Sequence, residues 1–328
     1  MKKILDRIVK DRTIRREITK QSHYWFFHVF LSAYIKYPIA LFHREMFALT
    51  ERVDLPVIAV MAFRGSGKST IMNLSHALWA VLGRRKKKFV VIISNTVNQA
   101  QGHFSNILWE LKNNRLLASD LGPFDVDHNN RSLVLTAFEA KIMAVSREQS
   151  IRGLLFGSWR PDLIIIDDIE DSSSVKLEKD RDDTYDWFMN EVWPSGGSST
   201  NIVVLGNLLH KDSFMMRIRG DILEKRTKGI FRAYPILDDN DQILWPGKFP
   251  TMMEVEALEQ SLPSEVAWDT EYRLEYGGFF TDFTQGDKDD QKPAQKLAHY
   301  RISTPRKAWR SFAKLITALD NYEHDSKN

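Results

Sequence analysis

The sequence predicts an α/β fold in which helices cover a mostly parallel sheet. Two observations indicate this fold: short apolar runs bounded by polar turns recur from residue 55 onward, and helical stretches such as Ile71–Val81 and Gln99–Leu111 lie between several of them. The expected strands are Val57–Met61, Phe89–Ser94, Leu133–Ala137, Lys141–Val145, Leu163–Ile166 and Ile202–Leu205. We expect Leu133–Val145 to be a hairpin that turns at Glu139 and Ala140.

The composition bounds the size and the chemistry of the protein. The chain has 328 residues, of which 43% are hydrophobic, so one large core with a smaller appendage is expected. The absence of cysteine excludes disulfides, thiolate nucleophiles and cysteine-ligated zinc. A net charge of +3 permits a polyanionic partner without requiring one.

The first 50 residues are expected to form an N-terminal helical segment. Within it, Tyr24–Phe42 is strongly apolar, but polar or helix-breaking residues interrupt the run at His28, Ser32, Lys36 and Pro38. The uninterrupted length is therefore below the roughly 18 residues of a membrane-spanning helix. We expect an amphipathic helix that ends near Tyr37 and docks on the main domain, with no membrane partner.

A glycine-rich loop follows the first predicted strand and precedes a helical stretch. Residues 62–70 read Ala-Phe-Arg-Gly-Ser-Gly-Lys-Ser-Thr, which is a P-loop in its strand–loop–helix context, although Ala62 stands where the pattern has its first glycine. The predicted nucleotide-binding residues are Arg64, Gly65, Ser66, Gly67, Lys68, Ser69 and Thr70. Lys68 would neutralise the β- and γ-phosphates of ATP, and the hydroxyl of Ser69 would ligate Mg²⁺. The alternative is a glycine-rich turn with a chance lysine.

A second apolar strand ends in a cluster of carboxylates, within Pro161–Asp171. This is the form of a Walker B strand, in which Asp167 would hold Mg²⁺ through its water shell and a neighbouring carboxylate would orient the attacking water. A solvated acidic turn is the alternative. Together with the P-loop about a hundred residues earlier, the strand predicts a P-loop NTPase of the ASCE type.

Several motifs in the same order resemble the large terminase subunits of tailed bacteriophages. They are the arginine-bearing P-loop, Ile92–Thr96 with Gln99 and Ala100, Ser150–Gly153 leading through Arg160–Asp162 to Asp171, Val203–His210, and Leu244–Phe249. The resemblance implies the ATP-hydrolysing motor of viral double-stranded DNA packaging. It implies as partners double-stranded DNA, a portal protein and a small terminase subunit. It also implies a homo-oligomeric ring that acts at the procapsid in the host cytoplasm.

The resemblance also implies roles for particular residues. Arg64 matches the arginine that senses or stabilises the γ-phosphate, and Asn207 lies in the coupling motif, where a threonine often stands. The family usually has a glutamate directly after the Walker B aspartate, so the catalytic base is left open between Asp168, which we favour, and Glu170. The adenine-contacting glutamine of the family has no counterpart near residue 43, where His43 or Arg44 would either stack on the base or serve helix packing.

The C-terminal residues resemble the start of the nuclease domain that large terminases carry. Leu315–Asp320 is similar to the first strand of its RNase H-like fold, and Asp320 to a metal ligand, but the other acidic ligands have no match. Nuclease activity is therefore not expected from this chain alone. The predicted organisation is a helical segment over 1–50, the ATPase domain over 51–240, a small linker subdomain over 241–300 with a flexible stretch at 281–295, and the nuclease strand within 301–328.

The sequence does not decide which basic residues contact DNA. The run Arg84–Lys88, and separately Lys211, Arg217 and Arg219, would either bind phosphates or form solvated surface. Two other functions also stay open at this point. They are a helicase or translocase of another P-loop family, and a non-catalytic ATP-binding remnant or assembly module.

Overall fold

The computed structural model describes Ile8 and residues 10–276 and contains one eight-stranded sheet. Its strands are Val57–Ala62 (β1), Phe89–Ser94 (β2), Val126–His128 (β3), Ser132–Leu135 (β4), Ala140–Ser146 (β5), Leu163–Asp167 (β6), Asn201–Gly206 (β7) and Gly229–Tyr234 (β8). Each of the six predicted strands is present, with bounds that differ by at most two residues at either end. Two strands were not predicted from the sequence: β3, which is short, and β8.

Helices connect the strands and cover both faces of the sheet. The α-helices are Arg12–Gln21 (α1), His23–Phe30 (α2), Leu41–Glu51 (α3), His76–Leu82 (α4), Val97–Asn113 (α5), Arg115–Leu121 (α6), Glu178–Trp187 (α7), Trp193–Ser195 (α8), Phe214–Leu223 (α9), Met252–Gln260 (α10) and Glu265–Trp268 (α11). Wider π-helical turns occupy Thr70–Ser75, Phe188–Val192 and Asp269–Arg273, and 3-10 turns occupy Ser32–Tyr34 and Thr136–Phe138.

The strand order is β3-β4-β5-β2-β6-β7-β1-β8. Every neighbouring pair from β5 to β8 is parallel, whereas β3, β4 and β5 pair antiparallel. The predicted hairpin is therefore present, and Glu139 turns the chain with a left-handed φ of 49°. Because β7 lies between the P-loop strand β1 and the acidic strand β6, the order is that of an ASCE-type P-loop fold. The predicted fold class is confirmed.

Side chains of the central strands alternate between two hydrophobic clusters. In β1, Ile58 and Val60 face the first cluster, whereas Ala59 and Met61 face the second. Helices α2 to α6 cover the first face, and the segment Phe188–Val192 and helix α9 cover the second. This alternation follows from the two-residue period of a β-strand and yields a three-layer α/β/α architecture.

The N-terminal helices pack on the first face of the sheet, as expected. Phe26 and Phe27 of α2 are buried in the first cluster, and buried Arg15 of α1 pairs with Asp120 of α6, with 2.8 Å between Nη2 and Oδ1. The expected helix to Tyr37 was wrong, since α2 ends at Phe30. Most of α2 is buried, so it is not amphipathic. No helix within the described residues combines the length and the apolarity needed to cross a bilayer.

Three of the five cations at 84–88 are engaged by the fold, whereas Arg84 and Lys86 are exposed. Arg85 donates to the side chain of Asn201, and Lys87 donates to the main-chain carbonyl of Asp162 at 2.6 Å. Lys88 donates to the carbonyl of Phe138 at 2.9 Å. These three cations bind carbonyl groups near the amino ends of β5, β6 and β7, at the opposite edge of the sheet from the P-loop.

Of the three basic candidates at 211–219, Arg217 and Arg219 are engaged in the fold, and Lys211 is exposed. Arg217 pairs with Asp212 and Asp182, at 2.8 and 2.7 Å, and the guanidinium of Arg219 lies 5.9 Å from the ring centre of Phe231. The structure therefore gives Arg217 and Arg219 roles in packing the loop before α9 and the edge strand β8.

The described part of the linker region packs on the main domain. Trp245, Phe249 and Trp268 belong to the first hydrophobic cluster. The helix expected over Glu265–Tyr276 is shorter, because the π-turn after α11 ends at Arg273 and the next residue, Leu274, has a left-handed φ of 59°. The expectations for the stretch 281–295, for the nuclease strand 315–320 and for Asp320 lie outside the described residues and stay predictions.

Candidate active site

The carboxyl ends of three parallel strands place the predicted site residues around one cleft. The P-loop follows β1, the acidic residues follow β6, and Asn207 follows β7, which lies between them. The cleft has a volume of about 590 Å³. Of the predicted site residues, it is lined by Arg64, Gly65, Ser66, Gly67, Lys68, Ser69, Thr70, Asp168, Glu170 and Asn207. Open α/β sheets bind their ligands at this edge.

The P-loop adopts a conformation that depends on its two glycines. Gly65 and Gly67 have φ values of 75° and 88°, which a residue with a Cβ adopts only with strain. Ala62, which replaces the usual first glycine, lies inside β1 in register with Tyr234. Its φ is not positive, so this position does not require glycine. The substitution of glycine by alanine is therefore compatible with this loop.

Lys68 connects the P-loop with the two neighbouring strand ends. Its buried ammonium donates to Oδ1 of Asn207 at 2.7 Å and lies 3.6 Å from Oδ1 of Asp168. A cation held between a neutral amide and a carboxylate is fixed in position at the end of the loop. The predicted lysine, amide and carboxylate therefore meet at one point.

Asp167 is fixed by two residues that the sequence analysis did not identify. Its Oδ2 accepts a hydrogen bond from Nδ2 of Asn73 and lies 3.2 Å from Nε2 of His103. Burial opposes ionisation of this carboxyl, but His103, Lys68 and Asn73 outweigh it and lower its pKa. Asp167 is therefore ionised at neutral pH. Asn73 lies in the helix after the P-loop and His103 in α5, and no local motif distinguished either residue.

The two candidate bases differ in their surroundings. Asp168 is half-buried, has a left-handed φ of 44° and faces Lys68; burial raises its pKa. Glu170 instead accepts a hydrogen bond from the backbone N–H of Phe214, at 2.9 and 3.0 Å to its two oxygens, and so caps the first turn of α9. Burial raises the pKa of Glu170 to about 7.

Arg64 lies at the rim of the cleft with its side chain 66% exposed. Its guanidinium donates to Glu271 at 2.7 Å, and its backbone N–H donates to the carbonyl of the same residue at 2.8 Å. Glu271, which belongs to the π-turn Asp269–Arg273, also lines the cleft. The structure thus places Arg64 beside the loop and pairs it with an acidic residue that is distant in sequence.

The residues proposed for adenine contact are engaged elsewhere. His43 is buried, and Nε2 of its ring lies 2.7 Å from the carbonyl oxygen of Ser66. The guanidinium of Arg44 lies 5.9 Å from the ring centre of Tyr24 in α2. Both residues thus have contacts within the protein, and a contact of either with adenine stays a prediction.

The arrangement fits a nucleotide with Mg²⁺. Oδ1 of Asp167 and Oγ of Ser66 are buried and make no hydrogen bond within the described part of the chain. A phosphate and a metal-bound water would supply the missing partners. No group of three or more acidic, histidine or cysteine side chains suited to a metal occurs in residues 8 and 10–276. Mg²⁺ in such sites is held by one or two carboxylates plus substrate phosphates, so Asp167 and the Ser69 hydroxyl would be the ligands that this chain offers.

Comparison with known proteins yields matches among solved structures alone. No family model and no curated protein matches the chain. The ATPase domain of the large terminase of Thermus phage P74-26 is similar at a TM-score of 0.51 and 15% identity, over 78% of this chain and 99% of that domain. The large terminase of bacteriophage HK97 is similar at 0.51 and 14%, over 72% of this chain and 50% of that protein.

A third similar structure is the large terminase of the thermophilic bacteriophage D6E in complex with ATP-gamma-S, at a TM-score of 0.50 and 10% identity. It is matched over 72% of this chain and 52% of its own length. The chain thus spans about half the length of the HK97 and D6E proteins. At such low identity the likeness concerns the fold, and the chain has the ASCE-type P-loop fold of the ATPase domains of phage large terminases.

Proposed function

We propose that this protein hydrolyses ATP and is the ATPase part of a viral DNA-packaging motor, a terminase large subunit. The observation that carries the proposal is the convergence of Lys68, Asp168 and Asn207 at the end of a P-loop, with the charge of Lys68 also acting on the adjacent buried Asp167. A glycine-rich loop alone would support nucleotide binding. The buried carboxylate and the half-buried carboxylate beside the lysine are the further groups that hydrolysis requires.

Each side chain has a defined part in the proposed reaction. The ammonium of Lys68 and the loop N–H groups bind the β- and γ-phosphates, and Asp167 and Ser69 hold the hydrated metal. Mg²⁺, when bound, neutralises the charge that develops on the β- and γ-oxygens. Asp168 orients the attacking water and accepts its proton, and Asn207 reports the state of the phosphate to β7. The guanidinium of Arg64 releases Glu271 and then stabilises the γ-phosphate.

Asp168 is the preferred base because of its position. It lies next to Lys68, so a water beside it would face the γ-phosphate. Glu170 is bound to the N–H of Phe214 and would have to release that helix end before it could orient water. Its pKa of about 7 suits a base at neutral pH, and Glu170 therefore stays the alternative.

The motor assignment rests on the likeness to terminase ATPase domains and on the motifs that resemble that family. Double-stranded DNA is the proposed substrate for movement, with a portal protein, a small terminase subunit and further copies of the chain in a ring as the proposed partners. Action in the host cytoplasm at the procapsid belongs to the same proposal. The nucleotide in the D6E structure supports ATP as the fuel.

A triplex-displacement assay tests the motor function. The purified chain with MgATP should displace a third strand from linear duplex DNA, and Lys68→Ala should not. Separation of a forked duplex into single strands would instead assign a helicase. Tight binding of MgATP without any phosphate release would assign a nucleotide-gated assembly module and contradict the proposal.

A further inference from the structure

The outer side of the P-loop is held by two donors that the chemistry does not use. A loop that directs its N–H groups at phosphates must direct carbonyl groups away from them, and these carbonyls need partners. Nζ of Lys248 donates to the carbonyl of Gly65 at 2.9 Å. Nε2 of His43 lies 2.7 Å from the carbonyl of Ser66. Two consecutive carbonyls of the loop are thus fixed from outside.

The hydrogen bonds of His43 fix its tautomer, so that the ring donates through Nε2. Its Nδ1 accepts a hydrogen bond from the backbone N–H of Ala40 at 3.0 Å, which leaves the proton on Nε2 for the carbonyl of Ser66. Burial lowers the pKa of His43 to about 4, so the ring is neutral at physiological pH. The histidine therefore adds no charge to the site and acts as a fixed N–H group.

Trp245 connects the two donors. Its ring centre lies 4.5 Å from that of His43, in an edge-to-face arrangement, and Nζ of Lys248 lies 5.2 Å from it. The indole N–H donates to the carbonyl of Pro38 at 2.7 Å. A Cβ on Gly247 would lie 2.8 Å from the same carbonyl, so glycine is needed for this close approach. The contacts of Trp245 and Gly247 with Pro38 thus fix the backbone that places Lys248 on the loop.

We propose that Lys248 and His43 are positioning residues of the nucleotide site, which hold the P-loop carbonyls outward so that the loop is preorganised for phosphate. Trp245 orients both residues. The nucleotide part of this inference rests on the proposed ATPase function, whereas the restraint on the loop does not. Neither residue lines the cleft, so neither is a catalytic residue.

Amide hydrogen exchange and nucleotide binding test the proposal together. Lys248→Met keeps the stem that packs near Trp245 and Phe249 and removes only the donor. In the nucleotide-free protein it should speed exchange of the Arg64 and Ser66 amides by about fivefold to tenfold, the scale of one lost hydrogen bond. The Val60 amide in β1 should exchange at an unchanged rate. The dissociation constant for MgADP, by calorimetry, should rise by a similar factor.

Three further variants and a control separate positioning from general packing. Lys248→Arg restores a donor and should recover most of the MgADP affinity. His43→Gln keeps an N–H group at the right distance and should bind better than His43→Leu. Lys179→Met, which removes an exposed lysine on α7, is the matched control and should change neither measurement.

Each outcome decides between the inference and its rivals. Wild-type exchange rates at Arg64 and Ser66 in Lys248→Met would overturn the proposed restraint. Faster exchange with unchanged MgADP affinity would overturn the positioning role, although the restraint would stand. If the wild-type protein binds no MgADP, the ATPase proposal fails, and the exchange rates still decide whether the two donors hold the loop.

Discussion

The ammonium of Lys68 donates a hydrogen bond to Oδ1 of Asn207 at 2.7 Å. This contact joins the P-loop after β1 to the end of β7, the strand inserted between β1 and β6. When the lysine turns toward a phosphate, the amide loses or shares its partner. Asn207 can therefore respond to the nucleotide, as expected for a residue in a coupling motif.

Asn207→Asp should weaken ATP binding through Lys68. The substitution replaces a neutral acceptor with a carboxylate, and a charge-assisted hydrogen bond is about twice as strong as a neutral one. The new ion pair competes with phosphate for the ammonium, so we expect KM for ATP to rise by about tenfold. Steady-state phosphate release measures this. Asn207→Ala frees Lys68 and should leave KM near the wild-type value; a larger KM in the alanine variant would contradict the competition argument.

The carboxylates after β6 should have separable roles. Asp168→Asn should retain MgADP binding and lower turnover by about 10²–10⁴-fold, the usual contribution of a general base. Asp167→Asn should raise the Mg²⁺ concentration needed for half-maximal activity, because it removes charge from the metal-binding oxygen. Both effects are measured by phosphate release across a Mg²⁺ titration.

Glu170→Gln is the control for the base assignment. Glutamine keeps an acceptor for the N–H of Phe214, so the start of α9 should be preserved. An inactive Glu170→Gln variant beside an active Asp168→Asn variant would assign the base to Glu170.

Arg64→Lys should impair turnover more than binding. Lysine keeps the positive charge but loses the planar fork that now binds Glu271 and would bind the γ-phosphate. An arginine that stabilises transition-state charge contributes about 10³–10⁵ in rate, so a loss of at least about 100-fold in kcat is expected. The dissociation constant for MgADP should change by less than about threefold. Equal losses in kcat and affinity would mean that Arg64 binds only the ground state.

Glu170 should make the stability of the nucleotide-free protein depend on pH. Its pKa is raised from 4.5 to about 7 by burial, so the folded state retains a proton that the unfolded state has released between these values. The contribution of this group is fully present below pH 4.5 and is lost as pH rises through 7. The total is at most about 3 kcal/mol. Relative to wild type, Glu170→Gln should therefore gain Tm between pH 5.5 and pH 8; parallel Tm curves would contradict this.

Local patterns in the sequence predict the inner strands but not the edges of the sheet. The continuous apolar runs of β1, β2, β6 and β7 correspond to strands buried on both faces. The edge strand β8 has half-buried residues and no such run, so it was missed. Helix α2 ends early because Leu31 leaves the helical region, and Tyr34 then donates to Glu110 at 2.8 Å, a tertiary contact without a local signal.

The residues of the candidate site also fall into two groups, those that local motifs predict and those that only the fold brings together. Lys68 and Asp167 follow directly from motifs whose spacing and strand context are local. The partners of Asp167, which are Asn73 and His103, and the donor to the P-loop, Lys248, do not follow from local motifs, because they reach the site through the packing of separate helices and loops. Each is an ordinary polar residue in its own segment. The three-dimensional fold, which brings β1, β6 and β7 together, shows which of these residues surround the P-loop.

The central claim is that this cleft hydrolyses ATP. Phosphate release by the purified wild-type protein and by the Lys68→Ala variant tests this claim most directly. Lys68 supplies the compact charge offered to the β- and γ-phosphates, and its ammonium is buried beside Asn207 and Asp168. With MgATP, the wild-type protein should release phosphate, and Lys68→Ala should reduce the rate to background while an unchanged circular dichroism spectrum shows that the fold is intact. A Lys68→Ala variant with near-normal steady-state ATPase activity would contradict the assignment of this cleft as the site of ATP hydrolysis.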